Sequence, residues 1–152
     1  MVFLSVAAYH RNLNKIKRGS EVLTKAAQYG HPEAIRRVGD LKWKDGEYDD
    51  AALCFEKAAM AGIPEAIFAL GRVYDTGHGR QRNVLTAVQL YEKVLEADPN
   101  HSAAGYRLGV YYMEGDPQAG LPKDKQKAIR YLRVAADRNH PDAKKLLNKL
   151  LL

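Results

Sequence analysis

Five histidines and one cysteine are the side chains of this 152-residue sequence best suited to metal ligation or nucleophilic attack. His10, His31, His78, His101 and His140 form no His-x-x-x-His pair, and none lies near Cys54 in sequence. The spacing that sets two ligands on one helix face is therefore missing. His31, His101 and His140 each stand just ahead of an expected helix start, so a recurring structural position accounts for them. Cys54 precedes Phe55 on an apolar helix and reads as a small buried hydrophobe. Gly77-His78-Gly79-Arg80 has the look of a phosphate loop, but no strand precedes it and no Gly-Lys-Ser/Thr follows. It reads as a loop between helices, in which Arg80 and Arg82 are the groups an anion would meet. No carboxylate pair stands apart from ordinary surface acids. The expectation is a protein without a catalytic site, metal or cofactor, whose chemistry is binding.

Composition agrees with that direction. Hydrophobic residues make up 46% and charged residues 28%, the profile of a globular chain of one domain. A single cysteine excludes an internal disulfide framework. No apolar stretch reaches the roughly 18 residues of a membrane span. Met1-Val2-Phe3-Leu4-Ser5-Val6-Ala7-Ala8 is apolar but has no basic residue before it, and Tyr9-His10-Arg11 interrupts it early. It reads as the first turns of a folded helix and not as a secretory signal. A cytoplasmic location follows, or a periplasmic or secreted one if a signal was removed upstream. The net charge of +6 is unevenly spread. Residues 1–20 carry +4, residues 21–122 carry −4, and residues 123–149 carry +6. Such a pattern suits an oriented partner, or a solvated set of helix faces.

Positioning of any binding residues depends on a repeat. Ala34-Ile35-Arg36-Arg37-Val38-Gly39, Ala66-Ile67-Phe68-Ala69-Leu70-Gly71 and Ala104-Gly105-Tyr106-Arg107-Leu108-Gly109 align, with their final glycines 32 and 38 residues apart. A second pattern follows each: Ala51, Phe55 and Ala58; Ala87, Tyr91 and Val94; Ala128, Leu132 and Ala135. Spacings of four and then three place each set on one helix face. A weaker copy begins the chain, with Ala7, Leu23 and Ala26-Ala27 in register. The expected helices are 3–14 with 20–29, 33–44 with 49–61, 65–76 with 84–97, 102–114 with 123–138, and a closing helix at 141–151. The corresponding units are 1–30, 31–62, 63–98, 99–139 and a cap at 140–152. Pro32, Pro64 and Pro141, each followed by an acid, mark helix starts. Glycine recurring at one helix position suggests close approach of a neighbouring helix, and Tyr74, Tyr91, Tyr112 and Tyr131 are expected in the core.

Residues 39–58, with Gly39, Gly46, Tyr48, Ala51, Phe55 and Ala58, resemble a tetratricopeptide repeat, although Lys42 replaces the usual aromatic. Leu70-Gly71-Arg72-Val73-Tyr74-Asp75-Thr76-Gly77-His78-Gly79 resembles a Sel1-like repeat, as does Leu108-Gly109-Val110-Tyr111-Tyr112-Met113-Glu114-Gly115. The resemblance covers roughly residues 20–148. It implies an all-α fold, an α/α solenoid wound as a right-handed superhelix of about four helix pairs and a capping helix. It also implies a non-enzymatic protein-interaction module, either an adaptor or scaffold or the inhibitor of a partner protein, and a bacterial setting suits both. In such arrays the first helices line a concave surface. The corresponding row here is Arg36, Asp40 and Trp43, then Phe68, Arg72 and Asp75, then Tyr106, Val110 and Met113, and these are the expected partner-binding residues. The alternative is that the aromatics of this row pack against neighbouring helices. A nucleic-acid-binding array using the basic ends and groove aromatics is the competing function, opposed by the acidic middle. On the closing helix, Leu151 and Leu152 exceed what a cap requires and leave a homodimer contact open.

Overall fold

Proline and glycine divide the chain into helices whose ends can be traced to single residues. The computed structural model describes residues 6–152, with side chains at every position from residue 19. Eight helices follow among the described residues: α1 Val6–Gln28, α2 Pro32–Lys44, α3 Tyr48–Met60, α4 Pro64–Thr76, α5 Val84–Ala97, α6 Ser102–Glu114, α7 Lys125–Ala136 and α8 Pro141–Leu151. Helices α2, α4 and α8 open on proline, whose missing N–H would have had no partner in a first turn. Asn83 and Asp124 cap α5 and α7 by accepting from the N–H groups of Thr86 and Lys127. The only β-pairing among the described residues is an isolated bridge, Asp116 to Leu121, inside the loop between α6 and α7.

Helices pack in pairs, α2 with α3, α4 with α5 and α6 with α7, and each pair packs on the next. The core is correspondingly elongated. One buried group gathers Ala51, Phe55 and Val73, another Tyr91, Val94, Leu108 and Tyr112, and a third Leu132, Ala135 and Ala143. The recurring glycines set the pair spacing. A methyl group at Gly39 would lie 2.7 Å from the Phe55 ring, at Gly71 2.6 Å from the Tyr91 ring, and at Gly109 2.5 Å from the Leu132 side chain. The second helix of each pair therefore rests directly on the backbone of the first. Tyr91 and Tyr112 are buried as expected, while Tyr74 and Tyr131 are only partly so.

Two expectations change. The first unit is not a helix pair, because α1 runs unbroken from Val6 to Gln28. No proline divides it, and Gly19 stays helical with nothing within 4 Å of a built Cβ. A lone glycine lowers helix propensity by about 1 kcal/mol, too little to force a turn without a loop sequence beside it. The expected beginning at residues 3–5 lies outside the described residues. Lys42, expected where such a repeat carries an aromatic, turns its ammonium to Glu47 at 3.1 Å and Asp50 at 3.9 Å.

These environments predict opposite outcomes for one substitution. Gly71→Ala drives a methyl group into the fixed Tyr91 ring and lowers stability by about 1–3 kcal/mol. Gly19→Ala meets nothing and raises it by up to about 1 kcal/mol. Thermal unfolding followed by circular dichroism measures both.

Candidate partner-binding face

The first helices α2, α4 and α6 carry the row expected to bind a partner. Four of its nine side chains, Trp43, Phe68, Asp75 and Tyr106, touch the next repeat. Trp43 packs edge-on against Tyr48 at 4.9 Å, lies 6.3 Å from Phe55 and 5.9 Å from His78, and carries the Arg72 guanidinium 5.2 Å above its ring. Phe68 lies 5.4 Å from Tyr91 and 4.9 Å from His101, and Tyr106 stacks on His140 at 4.4 Å. The aromatics thus close the seams between units, while their outer edges stay half-exposed. Val110 is half-buried, and Met113 packs against the central core group. Arg36 bridges Glu33 at 2.5 Å and Asp40 at 2.6 Å within its own helix, an arrangement that holds the Glu33 carboxyl below its usual range. Arg72 is the exposed cation of the row.

Asp75 is a correction. Expected in the groove, its carboxylate is instead buried where α4, α5 and α6 meet, with its side chain 7% exposed. Tyr91 donates to it at 2.8 Å, Tyr111 donates through a short hydrogen bond, and Arg107 pairs with it at 3.2 Å. The last turn of α4 points Asp75 at the following pair, and a buried carboxylate persists only when its lone pairs are satisfied. Burial raises the Tyr91 phenol well above the ordinary tyrosine range, with the adjacent Asp75 charge adding to it. Tyr111 is pushed up to about 12, by burial first and then by its bond to Asp75.

The histidines ahead of helix starts also gain a physical role. His101 Nδ1 accepts from the Ala104 N–H at 3.2 Å, and His140 Nδ1 accepts from the Ala143 N–H at 3.2 Å. Each imidazole acts as a helix cap, which places its proton on Nε2. His101 Nε2 then donates to Glu65 Oε1 at 3.0 Å, tying α6 to the start of α4. The same position at His31 makes no cap bond. Reasoning from sequence had marked these histidines as a recurring position. The roles of Arg107, Tyr111 and Glu65 do not show in the repeat pattern, because their partners lie 32 to 36 residues away.

The anion-contact reading of the long loop does not hold. Arg80 binds Glu56 with two bonds of 2.9 and 3.1 Å, and Arg82 donates to the Asp75 carbonyl at 2.9 Å. Gly79 sits against the Tyr48 carbonyl, which docks this loop onto the start of α3. Burial pushes the Cys54 thiol up, disfavouring the thiolate that nucleophilic attack needs. Among the described residues no group of three or more His, Cys, Asp or Glu side chains converges as a metal site, and no helix is long and apolar enough to cross a membrane.

The chain belongs to the Sel1 repeat family, which it matches over residues 32–63, 64–98 and 102–140. Sel1 repeats are protein-interaction modules built as an α/α solenoid, and this architecture is the one seen here. The Saccharomyces cerevisiae protein SHC1 is 34% identical over 75% of this chain and 23% of its own length. An exopolysaccharide production negative regulator of Rhizobium meliloti is 27% identical over 80% of this chain and 48% of its own length. The chain spans about a quarter to a half of the length of these relatives. Among solved structures, a Sel1 repeat protein from Oxalobacter formigenes superposes with a TM-score of 0.73 at 27% identity, covering 90% of this chain and 57% of that one. A protective antigen of uropathogenic Escherichia coli with an SLR fold gives 0.78 at 22% identity, covering 86% of this chain and 28% of that one.

The Asp75 cluster predicts both a mutational and an alkaline sensitivity. Asp75→Ala leaves two phenol groups without their acceptor and costs about 2–4 kcal/mol, measured by chemical denaturation. Tyrosines of the unfolded chain ionise near pH 10, whereas Tyr111 keeps its proton in the fold until about 12. The folded state thus binds more protons in this window, so stability falls as pH rises from 10 towards 12. Tyr111→Phe makes that fall shallower in a pH series of urea melts.

Proposed function

We propose that the chain binds an extended segment of a partner protein along the face formed by α2, α4, α6 and α8, and regulates or scaffolds that partner without catalysing a reaction. The observation that carries this reading is the placement of the seam aromatics. Trp43, Phe68 and Tyr106 are anchored on one side by the next repeat, so they offer half-exposed edges that lose little freedom on binding. Aromatic and Arg side chains held this way are the types that dominate interface energetics. Arg72, exposed above Trp43, supplies a charge beside the first of these edges. The family assignment supports a protein partner, and the name of the Rhizobium meliloti relative supports a regulatory role.

Immobilised chain is expected to capture a protein from nuclease-treated lysate of its native cell. Arg72→Glu and Tyr106→Ala each reduce that capture about tenfold, while Arg72→Glu keeps its helicity and loses no more stability than the about 0.5–1 kcal/mol of an exposed cation–π contact. Capture that disappears with nuclease treatment, or that ignores both substitutions, overturns the proposal in favour of nucleic acid or of another face.

A further inference from the structure

Positive charge on most of this face is neutralised from within the chain. Arg36 is held by Glu33 and Asp40, Lys42 by Glu47, and Arg107 by Asp75. The C-terminal end differs. Lys145 and Lys149 line a cleft of about 440 Å³ with Tyr106, Leu146 and Asp142, and among the described residues neither ammonium has a carboxylate within ion-pair distance. One wall of the cleft is therefore cationic, while the ring of Tyr106 and the side chain of Leu146 supply apolar surface. That ring is fixed by its stack on His140, which is itself fixed by the cap bond to Ala143. The site is preorganised on helices and not on loops.

Resting on the protein-interaction reading above, we propose that this cleft between α6 and α8 receives an acidic, extended segment of the partner. Two carboxylates pair with Lys145 and Lys149, and the side chain of the residue between them, or one flanking them, lies on Tyr106 and Leu146. The spacing fits. Residues four apart on a helix are separated by about 6 Å along its axis. Side chains two apart on an extended strand are separated by ~6.6 Å. An acid-x-acid pattern therefore meets both ammonium groups without distortion. The cleft volume suits a few residues and not a folded domain. Two lysines are few for a nucleic-acid track, so a peptide is favoured over a strand of RNA or DNA.

The test uses the full chain and three fluorescein-labelled probes: a Gly-flanked peptide with a Glu-Leu-Glu centre, its Gln-Leu-Gln counterpart, and oligo-dT. Anisotropy titration gives affinity, and amide chemical shifts locate binding. The Glu peptide is expected to shift Tyr106, Lys145, Leu146 and Lys149 and to bind about tenfold more tightly than the Gln peptide. Its binding weakens between about 0.05 M and about 0.5 M salt. The double variant Lys145→Glu/Lys149→Glu loses that binding about tenfold or more. A charge-matched control, Arg138→Glu/Lys144→Glu, retains it, although both residues are exposed near the same end. Equal affinity for the Gln peptide, shifts centred elsewhere, displacement by oligo-dT, or equal loss in the control overturns the proposal. Partner capture that is lost in Arg72→Glu but kept in the lysine double variant overturns the cleft alone. Intact Glu-peptide binding without any partner capture overturns the wider role alone.

Discussion

The absence of a side chain at three equivalent helix positions governs the spacing on which the other contacts depend. Gly39, Gly71 and Gly109 let Phe55, Tyr91 and Leu132 lie against helix backbone. Any larger residue would push the second helix of a pair outwards, and the next pair with it. Closeness of this kind carries consequences beyond packing. Tyr91 reaches Asp75 with its ring pressed against α4 at Gly71, so the buried hydrogen bond depends on the glycine as much as on the two partners. Dispersion, burial and polar satisfaction are coupled through one missing methyl group.

Between pairs a different chemistry operates. The buried apolar groups run across the seams, and aromatic rings, capping histidines and one clasped carboxylate are added to them there. In a stacked array, stability is close to a sum of unit terms and nearest-neighbour seam terms. Here the seam terms are directional, because a cap bond or a buried carboxylate tolerates little sliding. Rigid seams in turn hold the exposed edges of Trp43, Phe68 and Tyr106 at fixed separations. A surface assembled from several units can recognise one extended segment only if those separations persist.

Much of this architecture was legible in residue spacing. Periodic apolar residues and proline-led helix starts gave α2 to α8, and the recurring glycine announced a close helix approach that the structure contains. Local signals failed where a decision depended on something distant. Whether α1 would break turned on the lack of a loop around Gly19, since glycine alone permits a turn without requiring one. Asp75 occupies a position of the groove row, yet its environment is set by Tyr91, Tyr111 and Arg107, which lie 16 to 36 residues away. Periodicity sets the row on one side of the first helices, but it could not tell a ring offered to solvent from a ring shared with the next unit. Lys145 and Lys149 are ordinary lysines of a capping helix in the sequence, and only the fold brings Tyr106 into one cleft with them.

The seams are also unalike. Between the first and second pairs, ring contact comes late in the helices, where Arg72 covers Trp43, and Ile63 at the start of α4 makes no side-chain cap bond. At the two later junctions the contact comes at helix starts, through Phe68 with His101 and Tyr106 with His140. Units that look interchangeable as text are therefore not interchangeable as parts. Reordering them would bring a ring to a position with no ring to meet, and a capping histidine to a helix with nothing to tie. The linear order of the repeats is written twice, once in the covalent chain and again in the shapes of its joints.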